Sequence, residues 1–591
     1  MKYQLSKLLF QAGLILFTLI LPAPDTLQAQ RRRVATQAVD EHYEAGMRLL
    51  EKQELDQAIA ELSLATKLKP RFADAHNALG RALARKGEMK AAADSFRMAI
   101  QINPRLYEAH RELAAVLQQT GDLDGAIGES NKAIALKPEE VEARLLQGVT
   151  YQQKGDLESA ITRFREVVRL KPDAAEGHTY LGFALGVKGL LQDSISEFET
   201  AVRLKPNLGE AQYYLGAARW FSNDIDGAIS ALTIAAKLMP NHTNAHYYLG
   251  RALQKKGKLD GAINEFDTVI KLAPDMIEAR HAMGLALQQN EDLDAAIEAF
   301  RAVIKLKPDF IPAHNDLGLA LVQKRDPEAA ISELKTVLRL DPNNLVAHHN
   351  LGMALTQKGD YAAAVTEYQN LVTIAPDDAE AHYGLGLALK QKDALDDASA
   401  ELRKAIALKP ELQEAHYALG AILLQQSRLE NAEAEFRAAI SVKKDYAEAH
   451  YALGTALQQH GDLNGAIGAF RDALQFAPGA AEIHNSLANA LRQKGDLEAA
   501  RAEFGEAARL NKLKSNQQAA TFATNTGLAH LKEGKFDAAL ERLRAAVELD
   551  PTNAQAYYYL AQALQQTGQS QAALAAYQRA KELNPRVKPL P

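Results

Sequence analysis

Residues 447–480 read AEAHYALGTALQQHGDLNGAIGAFRDALQFAPGA and contain two apolar patterns separated by a Gly-Asp pair. Leu453 and Leu457 lie four residues apart in the first half, and Phe470 and Leu474 repeat this spacing in the second half. Apolar residues at this spacing share one face of a helix. The stretch therefore predicts two amphipathic helices joined by a short turn.

Three residues in this stretch predict where the two helices end and begin. Gly461 suits the left-handed conformation that commonly ends a helix. Asp462 follows it as a candidate N-cap of the second helix. Pro478 would end the second helix, because proline disfavours helical geometry at the residue before it. Together these signals predict a helical hairpin.

The proline that ends the second helix recurs along the chain at a fixed period. Prolines occur every 34 residues, at Pro70, Pro104, Pro138, Pro172, Pro206, Pro240, Pro274, Pro308, Pro342, Pro376 and Pro410. Lys444 and Lys512 occupy two later positions of this series, Pro478 lies between them, and the register returns after a shift of five residues at Pro551 and Pro585. A fixed period of this length indicates a repeat protein.

The period divides the chain of 591 residues into sixteen repeats. Fourteen repeats are contiguous over 39–514, two more cover 520–587, and a tail of four residues spans 588–591. We expect the insertion at 515–519 to loosen the stacking between repeats 14 and 15, and we treat it as a candidate hinge. One hairpin cannot bury both of its apolar sides, so stacked hairpins forming an all-α solenoid are predicted.

The repeat resembles the tetratricopeptide repeat. Leu249, Gly250, Ala262, Phe266 and Pro274 match that family's pattern of Leu-Gly in the first helix, Ala and an aromatic residue in the second, and a closing proline. The resemblance implies a right-handed α-solenoid superhelix of 16 helix-turn-helix repeats. It also implies that the first helix of each hairpin lines a concave groove that binds ligands.

The first residues have the features of an export signal. Lys2 and Lys7 precede the apolar run Leu8–Leu21, and Ala29 is a plausible cleavage point. We predict a signal peptide over 1–29 followed by a basic linker over 30–38. The alternative is an uncleaved N-terminal anchor. In a bacterium, an exported chain would be periplasmic, associated with the outer membrane or extracellular, and only an uncleaved segment would attach it to a membrane.

Composition argues against several function classes. The chain has no cysteine, which excludes disulfides and thiolate metal sites, and its net charge of −6 argues against nucleic-acid binding. Its sequence holds none of the motifs of a nucleophile elbow, a zinc protease, a P-loop or a dinucleotide site. We predict that the protein is not an enzyme and needs no cofactor.

Histidine recurs at the fourth position of eleven repeats. These residues are His42, His76, His110, His178, His246, His314, His348, His382, His416, His450 and His484. A ladder of metal sites is one interpretation. However, neighbouring helices pack 8–10 Å apart, whereas zinc ligands lie about 2 Å from one metal. We therefore expect these rings to pack between the helices, and we predict no metal site.

The candidate binding residues are aromatic side chains expected to face the groove. They are Phe183, Tyr213, Trp220, Phe221, Tyr247, Tyr383, Tyr417 and Tyr451. An apolar patch, where other repeats carry Gln, Lys or Thr, is formed by Phe183, Val187, Tyr213, Trp220 and Phe221. Such a patch is either a binding hot spot or a place of tighter packing between repeats.

These residues favour a scaffold that binds polypeptide segments in its groove. The alternative is a non-catalytic component of polysaccharide synthesis, export or glycosylation that recognises carbohydrate, since aromatic rings also stack on sugars. Self-association through the terminal repeat is a further expectation, because no capping helix follows Pro585.

Overall fold

A computed structural model describes the backbone of residues 24–590 and the side chains of residues 37–590. Within this range the chain forms 31 helices and no strand. Residues 1–23 of the predicted signal peptide lie outside the described residues, whereas its last residues, 24–29, and the predicted linker over 30–38 are helical. None of the helices in the described range is both long enough and apolar enough to cross a bilayer.

The helices divide into two compact units. The first unit ends at Lys307. Its helices are α1 (Pro24–Glu51), α2 (Leu55–Leu68), α3 (Ala73–Lys86), α4 (Met89–Ile102), α5 (Tyr107–Gln119), α6 (Leu123–Leu136), α7 (Glu142–Gln153), α8 (Leu157–Leu170), α9 (Ala175–Val187), α10 (Leu191–Leu204), α11 (Gly209–Phe221), α12 (Ile225–Leu238), α13 (Thr243–Lys255), α14 (Leu259–Leu272), α15 (Ile277–Gln289) and α16 (Leu293–Leu306).

The second unit begins at Pro308. Its helices are α17 (Ile311–Gln323), α18 (Pro327–Leu340), α19 (Leu345–Lys358), α20 (Tyr361–Ile374), α21 (Ala379–Gln391), α22 (Leu395–Leu408), α23 (Gln413–Gln425), α24 (Leu429–Val442), α25 (Ala447–His460), α26 (Leu463–Phe476), α27 (Ala481–Lys494), α28 (Leu497–Lys532), α29 (Phe536–Leu549), α30 (Ala554–Gln566) and α31 (Ser570–Leu583).

The turn between α25 and α26 follows the sequence prediction. Gly461 ends α25 in the left-handed conformation, with φ 93°. The Asp462 side chain accepts a hydrogen bond of 2.9 Å from the backbone N–H of Gly465 and so caps α26. Both predictions are confirmed. Gln53, Asn223, Glu291, Arg325, Asp393 and Ser427 also have positive φ and occupy the place of this glycine in their own repeats.

The core of each hairpin combines a small residue with a large one. Phe436 on α24 is fully buried against Gly420 on α23. A Cβ added to Gly420 would lie 2.7 Å from Cε1 of the phenylalanine ring. The two helices can therefore approach closely only because residue 420 has no side chain.

Within each unit the repeats stack in one direction. The second helix of a repeat packs on the first helix of the next, and first helices of successive repeats also touch. Among the described helices, the second helices of successive repeats do not touch. Each stack therefore curves towards the layer of first helices, which places that layer on the concave side.

Residues 515–519, the candidate hinge, lie inside a helix in the structure. Residues 497–532 form one continuous helix of 36 residues, α28, which joins the second helix of repeat 14 to the first helix of repeat 15. The physical reason lies in the inserted sequence SNQQA, which contains neither proline nor glycine. Loss of a proline alone does not fuse helices, since Lys444 also replaces one and α24 still ends at Val442.

Candidate functional site

An apolar cavity opens on the first helices of repeats 5 and 6. Phe183 and Val187 on α9 and Tyr214 and Phe221 on α11 line it, and its volume is about 220 Å³. The Phe183 and Tyr214 rings meet edge to face at 5.1 Å. Val187 is 56% exposed and Phe221 66% exposed. We call these four residues the aromatic surface.

The position of Val187 and Phe221 in the repeat explains why these two residues of the surface are exposed. Val187 and Phe221 are the last residues of their helices, on the solvent side. The equivalent residues of later repeats include Gln289 and Gln391. An apolar side chain here gains little from packing in its own repeat, so the pair is an exposed patch of the kind found at interaction sites.

A second, smaller cavity adjoins the aromatic surface and is acidic. It has a volume of about 110 Å³, shares Phe183 and Tyr214, and adds Glu176 and Glu210. A hydrogen bond of 2.8 Å from Lys205 lowers the pKa of Glu176, which keeps it ionised. Burial raises the pKa of the Tyr214 phenol, and Glu210 raises it further. The two adjoining cavities thus form one site with an apolar end and an acidic end.

Three of the predicted binding residues pack against the hairpin core instead. Tyr213 and Trp220 pack on the core of repeats 6 and 7, and Tyr247 packs on that of repeats 7 and 8. Burial raises the pKa of Tyr213 to about 12, with further contributions from neighbouring tyrosines. These rings remain partly accessible, but they do not line the cavity of the aromatic surface.

Two basic side chains of α13 lie close to the Trp220 ring. The Arg251 guanidinium is 5.7 Å and the Lys255 ammonium 5.5 Å from it. Cations at this distance are attracted to the face of an indole ring. The Trp220 indole therefore lies next to two positive charges carried by α13. Its sequence neighbour, Phe221, has an exposed ring.

The remaining three predicted residues lie in the second unit. Tyr383, Tyr417 and Tyr451 occupy the same position of successive first helices and are partly buried. The Tyr417 ring is 6.0 Å from Phe436, and the Tyr451 ring is 5.8 Å from Phe470. Each of these two rings therefore packs on the second-helix phenylalanine of its own repeat.

Tyr214 was missed by the sequence analysis, although a signal was present. Tyr180, Tyr214 and Tyr248 stand at the sixth position of three successive repeats, 34 residues apart. Two of these rings stack on second-helix phenylalanines, Tyr180 on Phe164 at 5.6 Å and Tyr214 on Phe198 at 5.7 Å. A column of one aromatic residue type over three repeats would have indicated this surface.

The repeated histidines are structural connectors. Nδ1 of His110 lies 2.6 Å from Oε2 of Glu129 on the second helix, and Nε2 lies 3.1 Å from the carbonyl oxygen of Pro104 in the preceding repeat. The Glu contact recurs at His42, His178, His246, His314, His348, His382, His416 and His484. Over the described residues, no group of three or more metal-binding side chains comes together.

Family models cover much of the chain. Models described as tetratricopeptide repeat match residues 43–107, 222–286, 281–345, 379–412, 451–516 and 524–587. A further model described as TPR repeat matches 148–189, 352–393 and 420–461. Together these ranges span more than half of the sequence. No curated protein gave a significant sequence match.

Solved structures give further similarities. YrrB, described as a TPR protein with an unusual peptide-binding site, is 25% identical over 31% of this chain and 95% of its own, with a TM-score of 0.30. MamA is 28% identical over 28% of this chain and 92% of its own, with a TM-score of 0.27. Yeast Tom70 is 17% identical over 74% of this chain and 96% of its own, with a TM-score of 0.33.

Proposed function

The chain belongs to the tetratricopeptide repeat family, and from this premise we propose that it is a non-catalytic scaffold that binds a polypeptide segment at the aromatic surface. The observation that carries the proposal is the exposure of Phe221 and Val187 above a cavity, at positions where glutamine stands in other repeats. Aromatic anchors in such cavities dominate the energetics of protein interfaces.

The acidic end of the site defines the expected ligand more closely. Glu176 and Glu210 line the adjoining cavity, so a basic side chain of the ligand would be favoured there. An apolar side chain would enter the cavity between α9 and α11. The proposed ligand is therefore an extended segment with an apolar residue next to lysine or arginine.

Selection from a phage-displayed peptide library tests this proposal. Wild-type protein is the target, and Phe221→Gln, which installs the residue of the equivalent position 391, is the counter-target. Because Phe221 is exposed, we expect the variant to keep its melting temperature. Selected peptides should carry an apolar residue beside a basic one, and at least tenfold weaker binding to the variant is expected.

Two results of that selection would contradict the proposal. One is no enrichment of peptides on the wild-type protein compared with Phe221→Gln. The other is retention of glycans on an array by the wild-type protein alone, which would favour carbohydrate recognition. Gln391→Ala is the matched control, since it changes the same position in a repeat without the aromatic surface.

We also infer that the chain is exported. Lys2 and Lys7 followed by the apolar run Leu8–Leu21 support this inference, and Ala29 is the favoured cleavage point. Cell fractionation with N-terminal sequencing tests it. A secreted or periplasmic chain beginning at residue 30 is expected, and a product retaining Met1 would instead indicate an anchored or retained protein.

A further inference from the structure

A further cavity lies on the first helices of repeats 2 and 3 and is basic. Its volume is about 440 Å³, which is within the size range of small-molecule binding sites. Arg81 and Arg85 on α3, and Arg111 and Glu112 on α5, are the charged residues of its lining. Three positive charges and one negative charge give this lining a net charge of +2. We call this site the arginine cavity.

The arginines of this cavity are unusual for their positions in the repeat. The fifth, ninth and 13th residues of the sixteen repeats include only four arginines, which are Arg81, Arg85, Arg111 and Arg251. Three of these four line one cavity. The ninth and 13th positions also supply Phe183 and Phe221 of the aromatic surface. Residues at these positions therefore differ between the two sites in the way expected of surfaces with different ligands.

Two of the arginines repel each other without a carboxylate to offset the repulsion. Arg81 and Arg85 are four residues apart on α3, so their side chains are neighbours, and like charges at this spacing destabilise a helix. Among the side chains that the structure describes, no carboxylate forms an ion pair with either residue. The pair therefore weakens α3, and stability does not explain its presence.

Contacts at the edge of the cavity hold two of the guanidinium groups in place. Nη1 of Arg85 donates a hydrogen bond of 3.1 Å to the backbone carbonyl oxygen of Leu50 on α1. Nη2 of Arg111 forms an ion pair with Oε1 of Glu112. A guanidinium has five N–H donors, so one such contact leaves most of its donors free for a ligand. The cavity thus presents oriented donors to an anion.

We propose that the arginine cavity binds a phosphate monoester. This group carries a charge of about −1.5 to −2 at pH 7, which balances the net charge of the lining. A single carboxylate would balance only half of it. The planar guanidinium also donates two parallel hydrogen bonds to phosphate oxygens. The arginine cavity shares no residue with the aromatic surface, so this proposal does not depend on the proposed function.

Isothermal titration calorimetry on the full chain tests this proposal with three probes at one ionic strength. The probes are inorganic phosphate, an end-blocked tripeptide with a central phosphoserine, and the same tripeptide with glutamate in its place. We expect the phosphoserine peptide to bind at one site per chain and at least tenfold more tightly than the glutamate peptide. Equal affinity for inorganic phosphate would assign the site to small phosphate compounds, and tighter binding of the peptide would assign it to a phosphorylated chain.

Variants locate the binding in the arginine cavity. Arg81→Gln and Arg111→Gln should each weaken binding of the phosphoserine peptide at least tenfold, with little change in melting temperature because both side chains are partly exposed. Arg97→Gln is the matched control. It removes the same charge from α4 of repeat 2, where Arg97 is exposed and paired with Asp94, and it should leave the affinity unchanged.

Four outcomes would overturn the proposal. One is the absence of saturable binding of both phosphate probes, and another is equal affinity for the glutamate and phosphoserine peptides. The third is unchanged affinity in both Arg81→Gln and Arg111→Gln. The fourth is an equal loss of affinity in Arg97→Gln, which would show that the net charge of the chain attracts the probe and that the cavity does not.

Discussion

Oε2 of Glu401 lies 2.6 Å from Nδ1 of His382, and Nε2 of the same ring lies 3.0 Å from the carbonyl oxygen of Pro376. Both ring nitrogens therefore face oxygen acceptors, and imidazole donates to both only when it is doubly protonated. Glu401 supplies the negative charge opposite this ring. The contact joins the two helices of repeat 11 to the end of repeat 10.

The first prediction concerns the pH dependence of Glu401. Burial acts to raise the pKa of this carboxyl, but hydrogen bonds from Lys404 and His382 act against it and bring it below its ordinary value. A lowered pKa in the folded state stabilises the protein above the ordinary pKa of about 4.3, and this stabilisation is lost as the pH falls through the folded pKa.

Thermal melts of the wild-type protein and Glu401→Gln measure this effect. The wild-type protein should melt higher at neutral pH, and the difference should shrink below about pH 4. A difference in melting temperature that stays constant down to about pH 3 would contradict the assignment. Glu411→Gln, a change at an exposed carboxylate, serves as the control.

The second prediction concerns the histidine itself. Gln212 occupies the equivalent position of repeat 6 and donates one hydrogen bond of 3.0 Å to the carbonyl oxygen of Pro206. His382→Gln should keep this donor and lose the Glu401 contact, which lowers local stability by about 1–2 kcal/mol. Hydrogen exchange in α21 and α22 measures the loss. His382→Ala should lose more, and equal protection in both variants would contradict the two-contact description.

The third prediction concerns the close approach at Gly420. A Cβ there would lie within 2.7 Å of the Phe436 ring, so Gly420→Ala should destabilise the second unit by about 1–3 kcal/mol. Gly468→Ala is the matched control, because nothing lies near its missing Cβ and it is exposed on α26. The control should raise stability by about 0.5–1 kcal/mol. Urea denaturation of both variants distinguishes the two signs.

The fourth prediction concerns the residues at positive φ. Glu291 adopts φ 62° at the turn where Gly257 serves one repeat earlier. A residue with a Cβ in the left-handed conformation lowers the stability of the fold by about 1–2 kcal/mol. A glycine at the same place removes part of this loss. Glu291→Gly should therefore raise the melting temperature. Asn223→Gly should raise it less, because asparagine tolerates this region better, and an equal gain in both variants would contradict the explanation.

The sequence was sufficient for the repeat unit because the signals were local and repeated. Each hairpin turn carries its own terminator, as Gly461 and Asp462 illustrate, and the 34-residue period fixes the stacking order. Residues 515–519 were harder to interpret, since an insertion without proline or glycine is compatible with either a loop or a continuous helix. Continuity depends on helix propensity summed across the junction.

The candidate site was only partly predictable, for a geometric reason. Trp220 and Phe221 are adjacent in sequence, yet neighbouring residues of a helix point about 100° apart. One ring consequently packs on the core of repeats 6 and 7, while the other is exposed. The apolar patch was visible in the sequence. Which of its residues are buried and which are exposed depends on how α11 packs against α13, and the sequence does not show this packing.

The small residue at the third position of most first helices has a consequence for how the number of repeats can change in evolution. Ala381, Ala415 and Ala449 are all fully buried, and each lies in the same place of its repeat. If the gene lost or duplicated one complete hairpin, the two repeats brought together would therefore still have matching surfaces. The protein can thus gain or lose single repeats without a change in the contacts between repeats. Phe522 marks a junction where such a step would instead place a bulky ring against a surface shaped for a methyl group.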